Sequence, residues 1–238
     1  MDAAYGVVRA ALLPPLHFGV GWVLEGASGV PRHGPTILAS NHVSYLDPLA
    51  LGYLAHRRGR KVRFLAKDEL FAKRGFGSVL RAMHQIPVRR GTTDAAGSLD
   101  AAIAALRGGE CVAVFPEGTI SLDLEPMVGK SGTARLAAAA GIPVTPIGLW
   151  GLHRVMFKGR KPRWRAGVAE VVVVGDPVTV GPDEDMRVAT DRIMNAICGC
   201  VHRAREIYPQ TPSNGDDGWW VRSPGGAVLR SCRLGEEM

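Results

Sequence analysis

His42 and Asp47 stand five positions apart in SNHVSYLDP (40–48), a separation that a tight turn can close. A carboxylate folded back onto one imidazole nitrogen fixes the ring's tautomer and leaves the other nitrogen free as a base. The same residues also suit a plainly structural role. Asp47-Pro48 reads as a helix N-cap followed by proline at the first helical position, with His42 incidental in the loop before it. In a chain with seven histidines an isolated pair of this kind is weak. Ser44 could be drawn as a nucleophile beside His42, but a turn hydrogen bond suits it better.

Further groups change the weight of that pair. CVAVFPEGT (111–119) is an apolar run that opens into a loop at Glu117 and Gly118. Glu117 could hold a hydroxyl or a cation there, and glycine permits a close backbone approach. KVRFLAKDELF (61–71) brings Lys67 to the end of another run, behind the basic stretch HRRGRKVR. QIPVRRG (85–91) does the same for Arg89 and Arg90. For these cations a solvated basic face is the plain alternative. Lys130 belongs either to a site or simply to a helix start. Several familiar motifs are missing: GKS (129–131) has Leu124 where a phosphate-binding loop needs glycine, and there is no G-x-S-x-G elbow and no H-E-x-x-H.

The elements that must position these groups alternate. Strand candidates are 36–40, 62–66, 85–88, 111–115, 144–150 and 170–175. Helical patterns fill roughly 48–57, 68–82, 94–107, 131–140 and 184–207, with Gly108-Gly109 and Gly141 as stop signals. The alternation predicts a single α/β domain over 31–208, with a largely parallel central sheet flanked by helices. In such sheets the loops at the carboxyl ends of the strands carry the chemistry. Residues 1–30 read as a short apolar helical segment, interrupted by Arg9, Pro14, Pro15 and His17, either core packing or an insertion into one bilayer leaflet. Residues 209–238 are rich in turn formers and read as a loose tail, with WWV (219–221) able to dock onto the domain.

Bulk properties set the frame. The chain has 238 residues, 46% of them apolar, and a net charge of +7, which favours anionic partners. No stretch reaches the roughly 18 uncharged apolar residues of a spanning helix, and no secretory signal is clear. Four cysteines without metal-ligand spacing suggest a reducing setting rather than a disulfide framework. HRVMFKGRKPRWR (153–165) mixes cations with Met156, Phe157 and Trp164. That mixture suits an anionic membrane, a ligand's phosphates or nucleic acid, or merely an exposed loop. No recognised nucleic-acid motif or aromatic platform accompanies it.

Taken in order, these pieces resemble the glycerolipid acyltransferase family that includes the 1-acylglycerol-3-phosphate (lysophosphatidic acid) acyltransferases. The first family motif, N-H-x4-D, is matched by Asn41, His42 and Asp47. The second, an apolar stretch ending in arginine, is matched by IPVRR with Arg90 at the motif position. F-P-E-G-T is matched unchanged by Phe115 to Thr119, and V-x-P-I by Val144, Pro146 and Ile147. AKDELF (66–71) and GKSGTARLA (129–137) also look like family segments, so the resemblance covers about residues 35 to 180. Two positions depart from it. Ile120 stands where an arginine often follows F-P-E-G-T, and Arg89 where an acidic residue is common. Both bear on how an acceptor phosphate would be held; Arg89 and Lys130 could supply the missing charge.

The resemblance implies transfer of an acyl group from a thioester, acyl-CoA or acyl-carrier protein, to the hydroxyl of a lysophospholipid. It implies His42 as general base and Asp47 as its orienting carboxylate. Asn41, Lys67, Arg89, Arg90, Glu117, Gly118, Thr119 and Lys130 would bind substrate, with no metal and no cofactor beyond the donor. It further implies attachment to an anionic membrane surface on the cytoplasmic side, peripheral or monotopic. Other acceptors (glycerol 3-phosphate, a glycolipid, an amino-acid lipid) stay open, as does an inactive lipid-binding relative. The intact His42/Asp47 pair and FPEGT argue against the last.

Overall fold

The structure is a computed structural model that describes residues 3–88, 95–212 and 218–221. Its strands are β1 (Val20–Glu25), β2 (Thr36–Ser40), β3 (Val62–Lys67), β4 (Ile86–Val88), β5 (Cys111–Val114), β6 (Val144–Trp150) and β7 (Val168–Val174). Its helices are α1 (Ala3–Gly19), α2 (Asp47–Arg57), α3 (Asp68–Phe71), α4 (Phe76–Ala82), α5 (Ala95–Arg107), α6 (Gly132–Ala140) and α7 (Met186–Glu206). Among the described residues the strands form one sheet in the order β1-β7-β6-β2-β5-β3-β4. β6, β2, β5, β3 and β4 are parallel, so their carboxyl ends share one edge. β7 runs antiparallel to β6, and β1 pairs parallel with β7.

β2 and β6 are buried along their whole length. Strands covered on both faces read as near-continuous apolar runs, which is why both stood out in the sequence. One face packs under α5, α6 and α7 through Ile37, Val112, Leu106, Leu136, Ile193 and Ile197. The other packs under α2 through Leu38, Ala113, Ile147, Leu149, Leu51 and Leu54. Helix α2 buries Ala50, Leu51, Leu54 and Ala55, the narrow stripe of an amphipathic helix lying on a sheet. Helix α7 starts at Asp185, whose carboxylate accepts from the Arg187 and Val188 N–H groups. It crosses β6 at Gly148, where a Cβ would lie 2.3 Å from the Cys200 carbonyl carbon. A glycine is therefore required for helix and strand to pack this closely.

Three expectations need correction. The apolar start is not helical through residue 30: it turns at Gly19 and continues as β1, an edge strand of the sheet. Val23 and Leu24 pack against the two core clusters, so pairing with β7 overrode an apolar run that sequence alone assigns to a helix. The single helix expected over 68–82 is two, α3 and α4. Where α3 ends, the Arg81 guanidinium donates to the Phe71 carbonyl at 2.6 Å, satisfying an acceptor that a continuing helix would have used. Cys198, finally, is disulfide-bonded, whereas Cys111 and Cys200 are free and buried. In the tail, Trp220 is buried and Trp219 packs on Phe157 and His153, so the WWV segment does dock.

Candidate active site

β2 delivers His42 to the carboxyl edge of the sheet, and the next turn returns Asp47 to it. His42 Nδ1 lies 2.8 Å from Asp47 Oδ2. That oxygen also accepts from the Val43 and Ser44 N–H groups at 2.7 and 2.8 Å. All three donors precede Asp47 in the chain. The carboxylate therefore points away from its own helix and makes no cap hydrogen bond, which overturns the N-cap reading. Asp47 is 1% exposed and the His42 side chain 17%. A buried acceptor on Nδ1 places the ring proton there and leaves the Nε2 lone pair outward. Nε2 makes no hydrogen bond to any described residue. The ring stacks on Phe115, centroids 4.2 Å apart, which fixes its plane.

Ser44 is fully buried; its hydroxyl donates to the Met156 carbonyl at 2.8 Å and accepts from the Leu46 N–H. That is the turn role expected of it, and it leaves no hydroxyl to act as nucleophile.

The loop after β5 clamps the His42 backbone from the other side. Glu117 Oε1 accepts from the His42 N–H at 2.9 Å and Oε2 from the Met127 N–H at 3.1 Å. The His42 carbonyl accepts from the Ser121 N–H at 2.8 Å. Burial pushes the Glu117 carboxyl up to about 8, against the two backbone N–H groups that favour its charged form and with the Asp47 charge adding to the rise. Glu117 is 3% exposed and both its oxygens are engaged, so it holds the His42 backbone in place. Gly118 makes the turn that permits this, at φ +74° with its N–H on the Phe115 carbonyl.

Asn41 is likewise engaged with backbone. It is fully buried, and its side chain donates to the Leu149 carbonyl and accepts from the Leu149 N–H. It extends the β2–β6 ladder by one rung and holds the end of β2 in place. Its signal in the sequence was an amide directly after a strand whose middle, Ile37-Leu38-Ala39, is apolar.

Of the remaining expected contacts, Lys67 is exposed at the end of β3, on the same edge as His42. Thr119 and Lys130 are exposed, and the Lys130 N–H donates to the Pro116 carbonyl. Ile120 turns inward, 6% exposed, and contributes packing in place of a cation. Arg89 and Arg90 lie outside the described residues. Glu170, which sequence reasoning did not single out, is buried behind the site on β7. Its Oε2 accepts from the Leu152 N–H, and burial, with the Asp47 charge, raises its carboxyl well above the usual range.

The acyltransferase family model matches residues 23–150, a span that holds every group above except Glu170, the Leu152 N–H and the Met156 carbonyl. A chloroplastic 1-acyl-sn-glycerol-3-phosphate acyltransferase of Arabidopsis thaliana is 30% identical over 154 residues, 63% of this chain and 42% of that protein. The Brassica napus counterpart is 29% identical over the same length and 43% covered. This chain thus spans less than half of those plant relatives. The human 1-acyl-sn-glycerol-3-phosphate acyltransferase alpha is 29% identical over 213 residues, 88% of this chain and 71% of that one. Among solved structures, the 1-acyl-sn-glycerophosphate acyltransferase PlsC of Thermotoga maritima superposes with a TM-score of 0.65 at 25% identity, covering 90% of this chain and 86% of that one.

Proposed function

This chain belongs to the acyltransferase family, and on that premise we propose that it moves a fatty acyl group from a thioester donor to the hydroxyl of a lysophospholipid. The acceptor we assign is 1-acylglycerol 3-phosphate, giving phosphatidic acid, in line with the names of its relatives. The observation that carries the reading is the 2.8 Å His42 Nδ1–Asp47 Oδ2 contact with Nε2 left outward at the sheet edge.

Nε2 takes the proton of the acceptor hydroxyl as its oxygen attacks the thioester carbonyl. Asp47 keeps the proton on Nδ1 and stabilises the imidazolium that forms. The C–O bond forms and the C–S bond breaks. The thiolate leaves with little help, because a thiol's pKa near 8.5 lies far below that of an alcohol, and it takes the proton back from His42. The reaction needs no covalent acyl-enzyme. Lys67 and Arg90, with Arg89, would hold the acceptor phosphate; arginine's planar fork suits phosphate oxygens.

The lipid acceptor calls for membrane access, and an apolar surface is present for it. Val7, Leu12 and Phe18 on α1 and Phe76 and Val79 on α4 are exposed, and these two helices pack together. Among the described residues no helix is long and apolar enough to cross a bilayer. We assign peripheral docking of this face on an anionic membrane, on its cytoplasmic side, helped by the positive net charge.

The test combines acyl-CoA with a panel of lysophospholipids in vesicles, reading thiol release and lipid product. Product with 1-acylglycerol 3-phosphate that disappears in His42→Ala supports the mechanism; equal rates in both proteins sink it. Flotation of the protein with anionic vesicles, lost in Phe18→Asp, checks the docking face.

A further inference from the structure

The loop after β6 carries a cluster to which the steps above give no part. Between that loop and Trp219 lies a cavity of about 180 Å³, lined among others by His153, Arg160, Lys161, Arg163 and Trp219. The Arg160 guanidinium lies 4.1 Å over the Trp219 ring, which fixes both. His153 is the buried member, 1% exposed. Its Nδ1 accepts from the Gly151 N–H at 3.3 Å. A nitrogen that accepts keeps its lone pair, so the ring proton sits on Nε2. Burial, then the Arg205 and Arg154 charges, push the ring down to about 3, so it is neutral at physiological pH. The Nε2–H is thus a buried donor with no hydrogen-bond partner among the described residues, and buried donors are rarely left so. It asks for an acceptor, and the cations lining the same cavity ask for a negative one. A phosphate ester meets both demands, with several oxygens for one neutral donor and two or three cations.

Its place on the sheet says whose phosphate this is. β6 borders β2 on one side; β5 and then β3 lie on the other. Lys67, at the end of β3, is two strands from β2, about 10 Å at ordinary strand spacing. The cavity loop lies on the opposite flank and is tied to the catalytic turn by the Ser44 Oγ–Met156 carbonyl bond of 2.8 Å. A transfer between two phosphate-bearing substrates would then have cations on both sides of His42.

We propose that this cavity is a phosphate-ester site for the acyl donor, the nucleotide end of an acyl-CoA, with His153 Nε2 donating to a phosphate oxygen and Lys161 and Arg163 balancing its charge. The identity of the donor rests on the acyl-transfer reading; the anion site does not. Calorimetric titration of the full chain with CoA, 3′-dephospho-CoA, glycerol 3-phosphate, inorganic phosphate and anionic vesicles tests it. CoA binds wild type and His42→Ala alike, and more tightly than glycerol 3-phosphate. The exposed Arg163→Ala change weakens CoA about 10-fold. In turnover, the same variant raises KM for acyl-CoA by a similar factor with kcat nearly unchanged. His153→Phe, checked for folding by circular dichroism, weakens CoA without removing a charge. CoA binding indifferent to Arg163→Ala overturns the proposal, as does a rise in KM for the acceptor instead, or displacement of CoA by anionic vesicles alone. If no donor and acceptor pair reacts while CoA binding stays sensitive to Arg163, the acyl-transfer reading fails and the phosphate site stands.

Discussion

Two histidines follow neighbouring parallel strands at the same edge of the sheet, and their surroundings are opposite. His42, after β2, has a buried carboxylate on Nδ1 and an outward Nε2. Among the described residues, His153, after β6, has a backbone N–H on Nδ1, no carboxylate on its ring, and a buried Nε2–H without a partner. The partner of Nδ1 decides the tautomer in each case. An acceptor there makes Nε2 a base; a donor there makes Nε2 a donor. One fold edge thus builds an outward proton acceptor and a buried N–H donor from the same side chain, through one hydrogen bond apiece.

The largest effect should come from His42→Ala, which removes the base and is expected to lower kcat about 10²–10⁴-fold, with CoA affinity unchanged. A comparable loss of CoA affinity would break the division of labour between the two histidines. Asp47→Asn comes next. An amide can offer Nδ1 a donor, which turns His42 toward the tautomer that His153 has, and kcat should fall on the order of 100-fold or more while KM for the donor holds. A mild effect would mean that the ring's orientation matters and its tautomer does not.

Glu117→Gln tests the clamp on the His42 backbone. It leaves one of two buried N–H groups without an acceptor and should cost about 1–3 kcal/mol of unfolding free energy, read by chemical denaturation. The same variant separates two pH dependences of stability. Glu117 has its folded value raised from 4.5 to about 8, so the folded chain holds a proton the unfolded chain has lost. That contribution makes stability fall as pH rises from about 4.5 to about 8. His153 has its folded value lowered from 6.5 to about 3, so the unfolded chain holds the extra proton. Its contribution is complete above 6.5 and is lost as pH falls toward 3. The smallest expected effect follows: His153→Phe should flatten the stability curve between about 3 and 4.5 and leave a decline running from about 4.5 to 8, while Glu117→Gln should remove that decline and leave a rise from about 3 to 6.5. A single variant that removes both slopes would show that they have a common origin.

What was readable in the chain depended on how local the signal is. β2 and β6 carry their bounds in short, mostly apolar runs, and α7 carries its stripe in the spacing of Ile193, Ile197 and Val201. β1 was not readable, because only its partner β7 distinguishes it from a continuation of an apolar helix. Within the site, His42 and Asp47 were legible as a pair that a turn could close. Asn41 and Glu117 were legible as present, and the sequence expected both to meet substrate; the structure shows both holding backbone, Asn41 to Leu149 and Glu117 to His42 and Met127. A side chain's type shows what it can bond, while burial shows what is left for it to bond.

The sequence by itself determined the fold class, the family, and the histidine and aspartate that one turn brings together, since these rest on periodicity and on contacts a few residues apart. Tertiary structure decided which nitrogen of each histidine carries the proton, which polar residues are spent on backbone, and the cavity between His153 and Trp219. Each of these depends on groups that meet only when distant strands and the docked tail come together, from the 75 residues that separate His42 and Glu117 to the 108 between Asn41 and Leu149. Desolvation at such meetings acts on the assembled neighbourhood, and no local stretch of chain contains it.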